Sequence, residues 1–157
     1  MCRRVQAGCS PRWERNVSES GMRRSGRGML TGEDIRYFNL FHSRRDTAER
    51  MFHRKVSFPG WSPEKSSCHK NVTHWVGLNP HLKAVRGWTI PSGAVSGRIR
   101  YEAHSVVEDA GKLYDITLPN QSECDALRFL RHLRTDEEFW IIEKRFKQLL
   151  FPSSTPE

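Results

Sequence analysis

The centre of the chain reads Cys68-His69-Lys70-Asn71-Val72, then His104-Ser105-Val106-Val107, and then Leu113-Tyr114-Asp115-Ile116-Thr117. The first of these segments predicts the start of a helix, and the other two are typical of strands. A thiol therefore stands at a helix start, while a histidine and an aspartate stand on two strands of one hairpin. The chain order Cys, His, Asp suits an activated thiol nucleophile with its base and its orienting acid.

The helix that begins at Cys68 is predicted to cover residues 68–79, because an Asn-Pro pair ends it. Ser66 or Ser67 is expected to cap it. Cys68 lies four residues before Val72 and so shares the inward face of the helix. In the first helical turn, unpaired N–H groups and the helix dipole favour a thiolate over a thiol. The alternative is a small buried hydrophobe, since free cysteines are often buried.

The neighbouring strands are predicted at residues 84–90, 98–107 and 112–118. If residues 108–111 form a four-residue turn between the last two, His104 lies directly opposite Asp115. Opposed residues share one face of a hairpin, with Cβ atoms about 4.5–5.5 Å apart. We therefore expect the Asp115 carboxylate to accept the Nδ1 proton of His104, which leaves the other ring nitrogen as a base.

The segments on either side of this region predict helices at residues 31–54, with a possible break at residues 44–46, and at residues 126–133 and 135–150. Capping boxes at Thr31 and Thr135 start the first and the last of them. Trp140 and Ile141 broaden the inward stripe of the last helix. Residues 56–65 and 119–125 are predicted loops, and residues 151–157 a frayed end. The fold class is α+β, with helices packed on a small antiparallel sheet in a single domain of residues 29–151, followed by a tail of residues 152–157.

The positive charge of the chain is concentrated at its N-terminus. The net charge is +8, and residues 1–28 carry seven arginines against two acidic residues. The remaining residues hold 19 basic and 16 acidic side chains. We expect residues 1–28 to form a disordered basic tail, which could bind nucleic acid non-specifically through phosphates. No apolar run is long enough to span a membrane, and no apolar stretch follows the basic start as in a secretory signal, so a cytoplasmic protein is expected.

The cysteines and histidines do not match a metal site. None of the four cysteines forms a C-x-x-C pair, so neither a disulfide framework nor a zinc site is favoured. His69 and His74 are five residues apart, whereas a helical metal pair uses a spacing of four. Both are expected to face solvent, and no metal or other cofactor is predicted.

The order Cys, His, Asp on a helix start and a following strand pair resembles papain-like and transglutaminase-like thiol enzymes. By this resemblance Cys68 is the nucleophile, His104 its base and Asp115 the orienting acid. The chain departs from the papain pattern in having Ser66-Ser67-Cys68-His69-Lys70 around the cysteine, and in having Ser62 where a glutamine would supply an oxyanion donor. The Cys68 backbone N–H and the Trp61 side chain are the candidate donors in its place.

The leading hypothesis is a thiol-dependent hydrolase or acyltransferase that acts on a peptide, amide or other acyl substrate through an acyl-enzyme. Trp61, Asn71 and Trp88 are the candidate substrate-binding residues, although Trp61 could simply cover the core and Asn71 could lie on the helix surface. One alternative is a non-catalytic binding protein of the same fold, since an inward cysteine and a hairpin salt bridge also occur in inert cores. The other is nucleic-acid binding through the N-terminal tail.

Overall fold

A computed structural model describes residues 23–24, 31–92, 97–146 and 148–152. Its helices and strands follow in the order β1 Arg23–Arg24, α1 Gly32–Ser43, β2 Met51–His53, α2 Cys68–Leu78, β3 Lys83–Pro91, β4 Arg98–Asp109, β5 Lys112–Asp115, α3 Gln121–Asp125, β6 Leu127–Arg131, α4 Asp136–Arg145 and β7 Gln148–Pro152. The mixture of helices and one sheet confirms the predicted α+β class. Within the described residues, no helix is long and apolar enough to cross a membrane.

Strand β4 is the centre of the sheet. On one side it pairs antiparallel with β3, and β3 pairs in turn with β6. On its other side β4 pairs with β7 along its first half and with β5 at its end. Strand β1 extends the sheet beyond β7, and β2 extends it beyond β5. Because β2 and β5 run parallel, the sheet is mixed and not purely antiparallel as predicted. The long connection between β2 and β5 permits that pairing.

Helices pack on the sheet, and the buried apolar side chains form three clusters. The largest is aromatic and lies among α1, α4 and the sheet; it includes Phe38, Phe41, Trp88, Tyr101 and Phe139. A second cluster contains Met51, Val106, Leu113, Cys124 and Phe129. A third contains Val56, Val72, Leu82, Val107 and Ile116. The adjacent residues Val106 and Val107 belong to different clusters because neighbouring side chains of a strand point to opposite faces.

Met51–His53 and Leu127–Arg131 were predicted as helix and are strands, and so is Gln148–Pro152, of which residues 148–150 were predicted as helix. Each is a short apolar run, and periodicity alone does not separate a buried strand from a helix at that length. Strands β5, β3 and β4 supply their hydrogen-bond partners. Part of the predicted loop at residues 119–125 is instead helix α3, which Asn120 caps by accepting a hydrogen bond from the Glu123 N–H at 3.0 Å.

The two ends of the chain also differ from prediction. Phe151 is 3% exposed within β7, so it belongs to the core and not to a frayed end. Arg23 and Arg24, which lie in the predicted tail, form the short strand β1 that pairs with β7. The rest of residues 1–28, and residues 153–157, lie outside the described residues. On α4, Trp140 and Ile141 are 38% and 59% exposed, so they do not extend its inward stripe.

The helix starts follow the sequence closely. Thr31 and Thr135 each form the predicted capping box, with Asp34 and Glu138 as the reciprocal residues. Helix α2 begins at Cys68 as predicted and ends at Leu78, one residue before the predicted end. Its N-cap residue is Ser67, although the Ser67 side chain makes no capping hydrogen bond.

The β4–β5 hairpin has a shorter turn than predicted. Asp109 pairs with Lys112, so only Ala110 and Gly111 form the turn. Both have positive φ angles, 47° and 77°, as a two-residue type I′ turn requires. The predicted four-residue turn at 108–111 is therefore wrong, and the pairing is shifted by two residues.

Candidate active site

The site lies at a gap in the pairing of β4. On the side away from β3, β7 pairs with residues 98–102 and β5 with residues 107–109. Among the described strands, none pairs with residues 103–106 on that side. The first turn of α2 lies at this gap, where Cys68 interacts with His104 and His69 hydrogen-bonds to Ser105. Two consecutive residues of a helix thus meet two consecutive residues of a strand.

The Cys68 thiol is partly buried between two imidazoles. Burial raises the pKa of this thiol, but hydrogen bonds to His104 and His69 and the charges of both rings lower it, to a net value of about 6. Cys68 is also the first residue of α2, so its sulfur lies at the positive end of the helix dipole. The site therefore favours a thiolate at neutral pH, as the sequence predicted for a cysteine in a first helical turn.

His104 lies between Cys68 and Asp115. Its Nε2 atom makes a short hydrogen bond to Asp115 Oδ2. Burial lowers the pKa of His104, but the hydrogen bonds to Asp115 and Cys68 and the charges of both groups raise it to about 10. Its side chain is 12% exposed, and that of Asp115 is fully buried. Because the pKa of the thiol is lowered and that of the imidazole is raised, an imidazolium paired with a thiolate is the favoured state at neutral pH.

The Asp115 carboxylate is fixed by backbone N–H groups that directly follow its own strand. Its Oδ1 atom accepts hydrogen bonds from the N–H groups of Thr117 and Leu118, both at 2.7 Å. This turn ends β5 at Asp115, three residues before the predicted end. Burial raises the pKa of Asp115, but the hydrogen bond and charge of His104 and these two N–H groups lower it overall. The carboxylate is thus fixed and ionised, with Oδ2 facing His104.

His104 and Asp115 are in contact as predicted, although the observed register of the hairpin differs from the predicted one. A shift of one residue would have placed the two side chains on opposite faces, but a shift of two keeps them on one face. The observed pairing makes them diagonal rather than direct neighbours, and a diagonal pair is farther apart. Asp115 consequently meets the distal ring nitrogen, Nε2, and the prediction that it meets Nδ1 is wrong. Nδ1 is then the ring nitrogen left for Cys68.

Asn71 is a buried residue and is 2% exposed. Its Oδ1 atom accepts a hydrogen bond from the Glu64 N–H at 3.0 Å, and its Nδ2 atom donates to Glu64 O and Thr117 Oγ1 at 2.8 and 3.0 Å. The helix-surface alternative is therefore wrong, while the substrate-binding role stays a prediction. Asn71 instead ties the loop before α2 to the segment after β5.

The two tryptophans proposed as substrate-binding residues lie elsewhere. Trp88 is 0% exposed and packs in the aromatic cluster against Phe38 and Phe139, so it is a core residue. Trp61 stacks on Trp75 and lies against His74. At 1.5 Å rise per residue, these partners are roughly 9–11 Å along α2 from Cys68. The structure therefore supports the packing alternative for Trp61.

His69 and Ser105 belong to the site, although the sequence did not point to them. His69 was expected to face solvent, but its Nδ1 atom is 2.6 Å from Ser105 Oγ, and its ring packs edge-on against Phe139 and Trp140. Ser105 is 1% exposed. The sequence did contain one signal for Ser105, namely a hydroxyl residue next to the apolar Val106 and Val107 in a predicted strand. His74, by contrast, is exposed as predicted.

Arg86 adds a buried positive charge near the thiol. It pairs across the sheet with Ser105, and its guanidinium lies over the Trp140 ring and donates to Thr73 Oγ1 at 2.8 Å. Burial lowers the pKa of Arg86, while the charges of Asp136 and Cys68 raise it. The nearest acidic group, Asp136, is 3.9 Å away and 60% exposed. Arg86 therefore adds to the positive potential that favours a Cys68 thiolate.

Comparison with models of protein families, with curated proteins and with solved structures gives no match for this chain.

Proposed function

We propose that this protein is a thiol-dependent hydrolase or acyltransferase with a papain-like or transglutaminase-like arrangement of Cys68, His104 and Asp115. The observation that carries the proposal is the position of the His104 ring. It bridges a buried, ionised carboxylate and a thiol at a helix start. That order of groups, a carboxylate that orients an imidazole and an imidazole that activates a thiol, is the one that nucleophilic thiol chemistry uses.

The reaction begins with attack of the Cys68 thiolate on a substrate carbonyl carbon. A carbon–sulfur bond forms, and the carbonyl π electrons move to oxygen. The oxyanion then collapses, the bond to the leaving group breaks, and the His104 imidazolium supplies the proton that the leaving group needs. The products of this half-reaction are a thioester on Cys68 and neutral His104.

Neutral His104 then acts as a base in the second half-reaction. It takes a proton from water or from an acceptor amine, which attacks the thioester carbon. The carbon–sulfur bond breaks and returns Cys68 as a thiolate beside the His104 imidazolium. Asp115 stabilises that imidazolium at both stages and keeps Nδ1 directed toward the sulfur. Because water and amine attack by the same route, hydrolysis and acyl transfer share this machinery.

The test uses p-nitrophenyl acetate, a small activated ester, with the full-length chain. Release of p-nitrophenol and peptide mapping by mass spectrometry together report acylation of each cysteine. We expect acetyl transfer to Cys68 with a burst of p-nitrophenol, and we expect none on Cys124. That thiol lies in the second apolar cluster, where burial and nearby carboxylates raise its pKa to about 12.

Cys68→Ser serves as the control for background ester hydrolysis. Loss of the burst in Cys68→Ser and a strong reduction in His104→Ala would support the proposal. Acetylation of Cys68 no faster than that of an unfolded cysteine peptide at the same pH would reject it.

A further inference from the structure

A second imidazole faces the sulfur from a different direction. His104 and Ser105 are neighbours on β4, so their side chains leave the strand on opposite faces. His104 reaches Cys68 directly, whereas Ser105 is joined to His69 by a 2.6 Å hydrogen bond. His69 also interacts with the Cys68 sulfur. The sulfur is therefore influenced by two imidazoles, His104 from β4 and His69 from the first turn of α2.

The His69 ring is held in a defined orientation. Ser105, which holds Nδ1, is buried, and Phe139 and Trp140 make T-shaped contacts with the ring at centroid distances of 5.7 and 5.1 Å. When the Ser105 hydroxyl donates to Nδ1, the ring hydrogen of neutral His69 resides on Nε2. The Nε2–H group is then the one available to the reacting atoms.

We propose that His69 is a catalytic residue whose Nε2–H donates a hydrogen bond to the oxyanion formed when Cys68 attacks a carbonyl. The inference rests on the proposed thiol chemistry. A group that hydrogen-bonds to the attacking sulfur also lies within reach of the oxygen on the carbon bonded to that sulfur. The Cys68 backbone N–H, unpaired in the first turn of α2, is the second donor.

This assignment replaces Trp61 as the side-chain oxyanion donor. The Trp61 ring contacts His74 and Trp75, which are farther along α2. His69 adjoins the nucleophile and is fixed by Ser105. A preorganised donor is effective because it does not have to reorient as the negative charge develops.

Two reagents separate an oxyanion donor from a residue that only favours the thiolate. Iodoacetamide alkylates a thiolate by displacement at saturated carbon and forms no oxyanion. p-Nitrophenyl acetate acylates it through a tetrahedral oxyanion. The ratio of acylation to alkylation rates at Cys68 cancels differences in thiolate population. Loss of one oxyanion donor costs about 10²–10³-fold in rate.

The expected result is a ratio roughly 10²-fold lower in His69→Ala than in the wild type. His69→Gln, which restores an N–H donor, should recover most of that loss. Ser105→Ala, which frees the ring, should lower the ratio by a smaller factor. The matched control is His74→Ala, an exposed histidine on the same helix, which should leave the ratio unchanged.

An unchanged ratio in His69→Ala would overturn the assignment, and so would a His69→Gln variant as impaired as His69→Ala. These outcomes differ from failure of the proposed function. In that case Cys68 of the wild type would not be acylated at all, although its alkylation could still be measured.

Discussion

Cys68 and Cys124 differ in the charges and polar groups that surround each thiol. Both are free, and both lose solvent on folding, which raises a thiol pKa. The imidazoles of His104 and His69 lower the pKa of Cys68, and Cys68 also lies at the positive end of the α2 dipole. Cys124 has the charges of Asp115, Asp125 and Glu123 nearby, which raise its pKa further. Burial raises the pKa of both thiols, so the difference between them follows from the neighbouring groups.

Asp115→Asn tests the role of the carboxylate. The Asn Oδ1 atom would keep the hydrogen bonds from Thr117 and Leu118, while its Nδ2 group would donate to His104 Nε2. His104 would then carry its hydrogen on Nδ1 and could not accept a proton from Cys68. We expect acylation of Cys68 to fall by roughly 10²–10⁴-fold. The upper limb of its pH profile, near 10 in the wild type, should move down, because loss of the Asp115 charge lowers the pKa of His104.

Asp109→Asn is the matched control, because Asp109 lies on the same hairpin but binds Arg54. Its acylation rate and pH profile should resemble those of the wild type. Equal effects of the two substitutions would mean that Asp115 acts only through the stability of the hairpin.

The identities of the three central side chains could be predicted from the sequence, but their geometry could be predicted only in part. A cysteine at a helix start, and a histidine and an aspartate on one hairpin, are visible as residue types at fixed spacings. The ring nitrogen that contacts Asp115 depends on the turn length. The two-residue turn was not predicted because it places Ala110 at a positive φ angle, which alanine rarely adopts. His69 was missed because its partner, Ser105, lies on another element.

Whether an element was predicted correctly depends on the kind of signal that defines it. Helix α2 and the two capping boxes were predictable because local hydrogen bonds and a full helical period define them. Strands β2, β6 and β7 were not, because each has only three to five residues and is stabilised by pairing with distant segments. In β6, Phe129 and Leu130 are both buried because the sheet is covered on both faces, so the alternation expected of a strand is absent.

Strands β3 and β6 approach each other so closely at Gly87 that only a glycine fits there. A Cβ atom there would lie 2.3 Å from Leu130 O and 2.7 Å from Phe129 Cζ. The backbone oxygen cannot yield without disturbing the pairing of the two strands, and Gly87 lies opposite His104. We expect Gly87→Ala to reduce the free energy of unfolding by about 1–3 kcal/mol or more, measured by urea denaturation.

Gly77→Ala is the control for the same change of residue type. Gly77 lies on α2, and a Cβ atom there would meet nothing within 4 Å. Helix propensity predicts a gain of up to about 1 kcal/mol. If both variants lose stability equally, close approach at Gly87 is not the cause of its effect.

At the scale of the whole molecule, the site depends on segments far apart in the chain. Cys68, His104 and Asp115 are brought together because the first turn of α2 lies against β4 and because Asn71 joins the loop before α2 to the segment after β5. Thr117 links Asn71 to Asp115, since its N–H donates to the Asp115 carboxylate and its hydroxyl accepts from the Asn71 side chain.

Asn71→Ala should therefore weaken both the fold and the site. It would remove the hydrogen-bond partners of the Glu64 N–H and the Thr117 hydroxyl, although Glu64 O keeps the Ser67 N–H, and we expect a cost of about 1–3 kcal/mol in the free energy of unfolding. Alkylation of Cys68 should slow as well, because α2 would lose its connection to the Asp115 turn. The control is Asn79→Ala, which removes one hydrogen bond to Trp75 O at the far end of α2. An Asn71→Ala variant that matches Asn79→Ala in both measurements would show that the connection does not position the site.

The most direct test of the central claim is the pH dependence of iodoacetamide labelling, read cysteine by cysteine in the full-length chain. The account predicts that Cys68 labels much faster than Cys124 between about pH 6 and pH 7. Its midpoint should lie near 6, below the ordinary thiol value of 9.0. His104→Ala should move that midpoint upward, because the variant keeps the burial and loses the imidazolium. Labelling of Cys68 no faster than that of Cys124, or an unmoved profile in His104→Ala, would contradict the thiolate–imidazolium pair.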